Sequence, residues 1–524
     1  MVFDLLIKGG TVWLPQGPAE VDVAVTAGRI AAIAASSRQI SATTVLEAGG
    51  LHVLPGVMDT QVHFREPGLE HKEDLLTGSQ AAVLGGVVAV CDMPNTNPPT
   101  TTPEALADKL TRARGRMACD HAFFLGATAE NANRLAEWER AEGCAGIKIF
   151  MGSSTGSLLV AEDASLARVL ATGTRRVAVH CEDEARLKKR SLRVAGTGRP
   201  DLHPVWRDVE TALIATQRLL RLARAARRRV HVLHVSTAEE ISVLREHRDL
   251  ATVEVTPQHL TLAAPECYER LGSLAQMNPP IRETRHREAL WHAVNAGGVD
   301  CLGSDHAPHT LDEKARPYPL SPSGMPGVQT LVPVMLTHVA AGRLSLARFV
   351  ELTSAGPARV YDMADKGRIA VGYDGDFTVV DLKARRTIGR DGLASRCGWS
   401  PFEGMAVTGW PVATIVRGHM AMYEGALSPV PAGAPLRYTF ETLIVADRVN
   451  LDRRRSGLRS SRLSQTFPWG ALCWIPNRRT YFVFCFDLLN RPRLPSNCCS
   501  RDISLPAVGV TLATGSMTRP SSRP

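Results

Sequence analysis

Short apolar segments alternate with helix-like segments through the middle of the chain, and this alternation restricts the fold more than any other feature. Apolar runs such as GVVAVCDM, HAFFLGAT, AGIKIFMG and VHVLHVS are separated by amphipathic stretches such as PEALADKLTRARG. Strands this short and this uniformly apolar are typical of parallel sheets covered by helices on both faces. About eight such units over roughly 300 residues fit the length of a closed (β/α)₈ barrel. The sequence therefore predicts an α/β protein with a barrel over residues 56–365.

The two segments that flank this region consist of β-type runs separated by glycine-containing turns. FDLLIKGG, TVWLPQG and EVDVAVTAGRIAAIA precede the barrel region, and KGRIAVGYDGDFTVVDL and GWPVATIVRGHMAMYEG follow it. This pattern of short strands and turns indicates a small antiparallel sheet. We predict one composite β-sandwich domain built from residues 1–55 and 366–443, with the barrel inserted between its two parts.

The net charge of +9 is concentrated in residues 444–524, which differ in composition from the rest of the chain. This tail holds 13 Arg, no Lys and four acidic residues, whereas the residues before it carry equal numbers of basic and acidic side chains. The body therefore has no basic stripe of the kind that binds nucleic acid, and we expect no nucleic-acid partner. We assign no fold to the tail, whose Arg-, Ser- and Pro-rich composition predicts a disordered segment or a non-native extension.

Several broad classes of protein are excluded by the rest of the composition. The sequence contains no run of about 18 apolar residues, so we expect no transmembrane helix and no membrane partner. The start, MVFDLLIKGG, lacks the pattern of a signal peptide. The 11 Cys, an odd number without a CxxC pair, do not indicate a disulfide framework. We expect a cytoplasmic protein.

Polar side chains interrupt the apolar runs at the ends of the predicted barrel strands, where barrel enzymes carry their functional residues. His63 follows the first strand, Lys148 lies in AGIKIFMG, His180 ends VAVH, His234 ends VHVLH, and Asp305 follows CLGS. Imidazoles and a carboxylate suit a divalent ion such as Zn²⁺. A single histidine is more often structural, so the prediction of a metal site rests on the whole cluster.

Lys148 needs a separate interpretation, because a protonated amine repels a metal ion. One interpretation is a lysine that reaches solvent or pairs with a carboxylate. The other is that burial lowers its pKa, so that the neutral amine takes up CO₂ and becomes a carbamate able to bridge two cations. The residues alone leave both interpretations open.

Seven motifs in order resemble those of the dihydroorotases, which are cyclic amidohydrolases of the amidohydrolase superfamily. The motifs are DTQVHFREPG, MPNTNP, GIKIFMGSSTG, VHCEDE, HVLHVST, MNPPIR and SDHAPHT. The resemblance extends from about residue 3 to about residue 443. It implies a distorted (β/α)₈ TIM barrel with a metal centre and a composite sheet domain. It also implies the reversible hydrolysis of dihydroorotate to N-carbamoyl-aspartate in pyrimidine biosynthesis.

The resemblance also implies a role for each residue of the metal cluster. His63 would bind a first Zn²⁺, Lys148 would be the carbamylated bridge, and His180 and His234 would bind a second Zn²⁺. Asp305 would bind the first ion and act as the catalytic proton shuttle, first as general base and then as general acid. A metal-bound hydroxide would be the nucleophile.

Four further residues are implied to bind the substrate. Arg65, Asn95 and His309 would hold its carboxylate, with Asn278 near the ring. An arginine near a strand end suits a planar carboxylate on chemical grounds as well. The residues alone favour structural roles for Asn95, in the turn PNTNP, and for His309, beside Pro308.

One position departs from the family pattern, which is His-x-His on the first strand. This chain has Gln61-Val62-His63. An amide oxygen is neutral and a much poorer zinc ligand than imidazole. We therefore expect asymmetric occupancy, with one Zn²⁺ bound tightly by His180 and His234 and weaker binding at the first position.

Three functions remain open at this point. In the first, the chain is a hydrolase with one tight metal and an acidic cyclic amide as substrate, which the retained metal and substrate residues favour. In the second, it is a weak or inactive dihydroorotase-like partner of aspartate transcarbamoylase. In the third, the ring is hydantoin or allantoin, although Arg65 in FREPG argues against a simple hydantoin. We also expect a homo-oligomer.

Overall fold

The computed structural model describes residues 2–35, 41–154 and 158–439. These residues belong to one compact unit, Met1–Thr442. The domain boundaries expected at 55/56 and 365/366 therefore stay predictions. The tail that we expect to be disordered or non-native, 444–524, lies outside the described residues.

The strands before the barrel are short. They are β1 (Val2–Lys8), β2 (Thr11–Leu14), β3 (Gly17–Glu20), β4 (Asp22–Thr26), β5 (Arg29–Ala34), β6 (Ser41–Glu47) and β7 (His52–Pro55). Strands β5, β4, β1 and β6 form a four-stranded sheet in that order. The expectation of an antiparallel sheet is wrong at two pairings. Strand β1 pairs antiparallel with β4 but parallel with β6, and β2 pairs parallel with β7. The four-stranded sheet is mixed because β6 lies on the edge opposite the β4–β5 hairpin and runs in the same direction as β1.

Eight parallel strands form the barrel wall in chain order. They are β8 (Val57–Val62), β9 (Val87–Asp92), β10 (Asp120–Gly126), β11 (Cys144–Phe150), β12 (Val177–His180), β13 (Val230–Val232), β14 (Ala251–Val255) and β15 (Cys301–Leu302). Val62 also forms a parallel bridge with His306, and the His63 N–H donates to the His306 carbonyl at 2.7 Å. The first strand thus meets the segment after the last strand, and the barrel is nearly closed.

Helices cover the outside of the barrel. They are α1 (Leu75–Leu84), α2 (Pro103–Ala113), α3 (Leu135–Trp138), α4 (Asp163–Leu170), α5 (Glu184–Ser191), α6 (His203–Trp206), α7 (Val209–Ala226), α8 (Ala238–Arg245), α9 (Pro257–Thr261), α10 (Glu266–Leu271), α11 (Thr284–Asn295), α12 (Leu311–Lys314), α13 (Leu331–Ala340), α14 (Leu346–Val350) and α15 (Gly356–Tyr361). No helix in this described part of the chain is both long and apolar enough to cross a membrane.

Helix α7 shows how the local sequence produces these elements. The Asp208 side chain caps its start by accepting from the Thr211 N–H, which satisfies one of the free amides of the first turn. Its small and aliphatic residues, among them Ala215 and Leu219, recur at helical spacing and are buried. The helix ends at Ala226, and its C-cap residue, Arg227, adopts a left-handed conformation with φ of 54°.

A second sheet combines both flanks of the barrel. The strands after the barrel are β16 (Phe377–Thr387), β17 (Ala406–Val416), β18 (His419–Tyr423) and β19 (Ala426–Leu427). They form a seven-stranded sheet in the order β19-β18-β17-β16-β7-β2-β3. Leu5 and Val25 of the four-stranded sheet share a buried core with Val53, Phe377 and Ile415 of this one. The predicted fold class, an α/β barrel with a sandwich built from both flanks, is confirmed.

Candidate active site

A cavity lies at the carboxyl ends of the barrel strands. Apart from His309, every residue that the sequence singles out lines it, together with Phe150, Ser154, Ala307, Ser323 and Gly324. These predicted residues are Gln61, His63, Arg65, Asn95, Lys148, His180, His234, Asn278 and Asp305. His309 lies directly behind the wall, with its Nε2 3.3 Å from Nη2 of Arg65. The structure thus brings the whole predicted set together, while the role of each member stays a prediction.

Three of these residues have an unusual backbone. Arg65, His234 and Asp305 have φ angles of 65°, 36° and 44°. Non-glycine residues rarely adopt positive φ, and such strain persists only where the surrounding structure holds it. Its concentration at three strand ends around one cavity is typical of a functional site.

Two imidazoles face each other on one side of the cavity. His180 ends β12 and His234 follows β13, and Nδ1 of the first lies 3.1 Å from Nε2 of the second. Both rings are buried, and burial lowers the pKa of each, with the neighbouring imidazole lowering that of His234 further. Both rings are therefore neutral at pH 7, which is the form that binds metals.

His180 is held from behind by a buried ion pair that the sequence did not single out. Its Nε2 lies 2.9 Å from Oε2 of Glu182, and Arg207 Nη2 donates to the same oxygen at 2.7 Å. Burial opposes ionisation of Glu182, but the charge of Arg207 and the His180 contact hold its pKa well below the usual range. The motif VHCEDE contains Glu182 and could have drawn attention to it, whereas Arg207 lies 25 residues further along the chain.

The opposite side of the cavity is arranged around a carboxylate. Oδ1 of Asp305 lies 3.1 Å from Nε2 of His63 and accepts from Nε2 of Gln61 at 3.1 Å. Nδ1 of His63 lies 2.7 Å from Oδ1 of Asn95. Gln61 Oε1 is buried without a hydrogen-bond partner among the described residues. On this side the predicted ligands already bind one another.

Lys148 lies in β11 between the two sides. Its side chain is 1 % exposed, and its Nζ lies 4.6 Å from the centre of the Phe150 ring. Burial lowers its pKa to about 8, against the opposing charges of Asp305 and Glu254. The interpretation of Lys148 as a side chain that reaches solvent is therefore wrong, and the carbamate remains a prediction.

Arg65 forms the cationic wall of the cavity. Its side chain is 1 % exposed, and burial lowers its pKa to about 10, so it remains charged at neutral pH. Nε donates to the carbonyl of Pro308 at 3.2 Å, and Nη2 contacts His309. Nη1 has no hydrogen-bond partner among the described residues. A buried charged donor without a partner is costly, so it indicates a place for an anionic group.

The remaining two predicted residues are fixed by buried neighbours. Oδ1 of Asn278 lies 3.0 Å from Nε2 of His203, and its Nδ2 donates to Ser154 Oγ at 3.3 Å. Nδ1 of His309 lies 3.2 Å from Nζ of Lys72. His309 is fully buried, so it is part of the packed wall rather than an exposed loop histidine.

A second group of acidic side chains lies elsewhere in the fold. Asp120, Asp374 and Asp376 are buried close enough together to surround a cation. Nζ of Lys366 lies 2.6 Å from Asp120 and 3.1 Å from Asp374, and it also contacts Asp376. The lysine ammonium thus already supplies the positive charge. Asp120 begins β10, at the end of the barrel opposite the cavity, where residues serve stability rather than catalysis.

The facing pair of histidines fits a metal ion. Two imidazole nitrogens bound to one tetrahedral Zn²⁺ at about 2.0–2.1 Å would lie roughly 3.3 Å apart. The observed separation of His180 Nδ1 and His234 Nε2 is 3.1 Å. The carboxylate of Glu182 behind His180 matches the outer partner that metal-binding histidines commonly have.

The family of the chain follows from a match to known sequences. Residues 52–421 match the model of the amidohydrolase family. The chain belongs to the amidohydrolase family. The predicted resemblance to dihydroorotases, and the prediction that the chain is an enzyme, are thereby confirmed, because several curated relatives of that name share 34–36 % identity over most of it.

Three similar proteins show the range of activities among relatives of this amidohydrolase. A dihydroorotase of Methanosarcina mazei is 35 % identical, over 82 % of this chain and 96 % of its own length. An allantoinase of Deinococcus radiodurans is 32 % identical, over 83 % and 99 %. The solved L-hydantoinase (dihydropyrimidinase) from Arthrobacter aurescens superposes with a TM-score of 0.79 at 30 % identity, covering 83 % of this chain and 100 % of that one.

Proposed function

We propose that the chain catalyses the reversible hydrolysis of dihydroorotate to N-carbamoyl-aspartate. The observation that carries this choice of ring is Arg65, a buried and charged side chain with an unpartnered N–H group in the cavity wall. Dihydroorotate carries a carboxylate, and a guanidinium binds a carboxylate through paired charge-assisted hydrogen bonds. Simple hydantoins carry no carboxylate and would leave this donor unsatisfied.

The metal centre of the proposal is asymmetric. His180 and His234 would hold one Zn²⁺ tightly, with Lys148, as a carbamate, extending between this position and the weaker one beside His63 and Asp305. A bound ion would supply a water of lowered pKa and would polarise the ring carbonyl. Carbamylation of Lys148 is supported by its burial and lowered pKa, because only a neutral amine reacts with CO₂.

Gln61 supports this asymmetry. An amide that turned Oε1 toward Asp305 would place two acceptors against each other, so the hydrogen bond assigns Nε2 to that side. Gln61 then offers a donor where the family pattern has an imidazole lone pair. We propose that the first position binds metal more weakly for this reason.

Asp305 would move the proton. Its Oδ1 is held by His63 and Gln61, which leaves Oδ2 to take the proton of the attacking hydroxide. The same carboxyl would then give this proton to the ring nitrogen as the C–N bond breaks. Holding the carboxylate from one side fixes its orientation through both transfers.

The substrate would be bound by its two ends. Arg65, steadied by His309, would bind the carboxylate together with Asn95, and Asn278 would contact the ring.

The alternative rings, hydantoin and allantoin, are supported by the relatives with those names. A catalytically inactive partner of aspartate transcarbamoylase is the other alternative, supported by Gln61 alone. Homo-oligomerisation, association with aspartate transcarbamoylase and a cytoplasmic location complete the proposal and are supported by the family resemblance.

A substrate panel tests this function. We expect the Zn²⁺-loaded full chain to open dihydroorotate faster than hydantoin or allantoin. The rate of ring opening is measured as the loss of ring absorbance. Replacing Arg65→Met removes a charge-assisted hydrogen bond worth about 1.5–3 kcal/mol. It should lower kcat/KM for dihydroorotate by roughly 10- to 150-fold.

The comparison of substrates provides the control for Arg65→Met. Activity on a neutral ring should change little, because that ring makes no ion pair with Arg65. Faster opening of a neutral ring by the unmodified chain would contradict the choice of dihydroorotate. Absence of turnover on every ring with Zn²⁺ bound would support the inactive-partner alternative instead.

A further inference from the structure

A continuous chain of buried polar contacts runs outward from the cavity through His180. The His180 ring contacts Glu182, and Glu182 receives three hydrogen bonds from the Arg207 guanidinium at 2.7–3.1 Å. All three side chains are at most 3 % exposed. Because the contacts are shielded from water, they are stronger and more directional than a surface ion pair.

Arg207 is itself anchored from two directions. It lies at the end of α6, and its Nη2 donates to the carbonyl of Ser153 in the loop after β11 at 2.6 Å. Its own carbonyl accepts from Nη1 of Arg282 at 3.0 Å. These bonds fix the position of the guanidinium, so the position of Glu182 is determined by parts of the chain that do not touch the cavity.

We propose that Glu182 and Arg207 are positioning residues for the metal centre, an inference that rests on the proposed function. An ionised carboxylate only accepts hydrogen bonds, so the contact assigns the proton of His180 to Nε2. The lone pair is then on Nδ1, the atom that faces Nε2 of His234. Arg207 fixes the carboxylate that fixes this tautomer and the ring orientation.

Helix α6 extends the same arrangement to the substrate side. His203, one helical turn before Arg207, contacts Oδ1 of Asn278 at 3.0 Å and the carbonyl of Met277 at 3.1 Å. One short segment, His203–Arg207, thus contacts both Glu182, which holds His180, and Asn278, the predicted ring-binding residue. The anchoring of Arg207 therefore also fixes the position of this segment relative to His180 and to Asn278.

The test measures metal binding without any substrate. Zn²⁺ affinity is determined on the full chain by competition with a chromophoric chelator, and bound Co²⁺ is examined by its absorption spectrum. Loss of an outer partner typically weakens metal affinity by about 10- to 100-fold. We expect this loss for Glu182→Gln and for Arg207→Met, with a changed Co²⁺ spectrum, and partial recovery in Arg207→Lys.

The double variant separates positioning from stability. Arg207→Met alone leaves a buried unpaired carboxylate and should lower the melting temperature, whereas adding Glu182→Gln removes that charge and should restore much of it. Metal affinity should not recover, and it should fall no further than in the worse single variant, because both residues act through His180. Arg186→Met is the matched control, since Arg186 pairs with Asp208 at the surface; it should leave Zn²⁺ affinity unchanged.

Two results would overturn the proposal. One is a double variant that binds Zn²⁺ as tightly as the unmodified chain. The other is a set of single variants that lose stability while the folded protein keeps its affinity and Co²⁺ spectrum. A chain that shows the expected affinity losses but opens no ring would overturn the proposed function while supporting the positioning role.

Discussion

The two sides of the cavity differ in what their predicted ligands already contact. On one side Nδ1 of His180 and Nε2 of His234 face each other at 3.1 Å. On the other, His63 and Gln61 both bind the same oxygen of Asp305. In the first arrangement two imidazole nitrogens contact each other, whereas in the second two side chains contact one carboxylate oxygen. This difference agrees with the proposed roles, which are metal binding on the first side and proton transfer on the second.

The residues that contact His180 and His63 from behind also differ between the two sides. Behind His180 lies the buried ion pair of Glu182 and Arg207, whose charges offset each other. His63 has the neutral amide of Asn95 behind it. A carboxylate partner makes an imidazole a better metal ligand, and a neutral amide does so less. The difference in support thus strengthens the expected difference in metal affinity.

Removal of one histidine from each side should give the largest contrast. His234→Ala should weaken tight Zn²⁺ binding by more than the roughly 100-fold upper range for an outer partner, because it removes a ligand itself. Ring opening should fall to background with it. His63→Ala should retain the tight ion. Metal titration of both purified variants checks this, and equal losses of affinity would contradict the asymmetry.

The proton shuttle should be separable from the tight metal. Asp305→Asn keeps the size of the side chain but removes its basicity, so kcat should fall by about 10²- to 10⁴-fold. Zn²⁺ bound by His180 and His234 should stay in place. Steady-state kinetics and metal content measured on one preparation test this, and a proportional loss of metal would show that Asp305 acts mainly as a ligand.

The fold was predictable because its signal is repeated. The barrel strands are short and mostly apolar, and eight such segments outweigh ambiguity in any one of them. The parallel pairing of β6 with β1 was not predictable, because the direction of a strand depends on which edge of the sheet it joins. Nothing in SATTVLE distinguishes a parallel partner from an antiparallel one.

Only those residues of the site that lie in sequence motifs were predictable. His180 and Glu182 lie in one motif, but the contact between Glu182 and Arg207 depends on where α6 packs after the barrel closes. The same holds for His203 and Asn278, which are 75 residues apart. The predicted ligand residues lie at or near strand ends and can be recognised from sequence motifs, whereas the residues that contact them from behind are brought there by tertiary packing.

The smallest expected effect comes from restoring the family pattern. Gln61→His adds an imidazole beside His63 and removes the amide that holds Asp305, so zinc content should rise from about one toward about two ions per chain. The change in kcat should be smaller than in Asp305→Asn, because the tight ion and the shuttle both remain. Gln61→Met is the matched control, since it removes the amide without supplying a ligand and should leave zinc content unchanged. If Gln61→Met also gained zinc, the hydrogen bond to Asp305, rather than the missing imidazole, would be what keeps the first position weak.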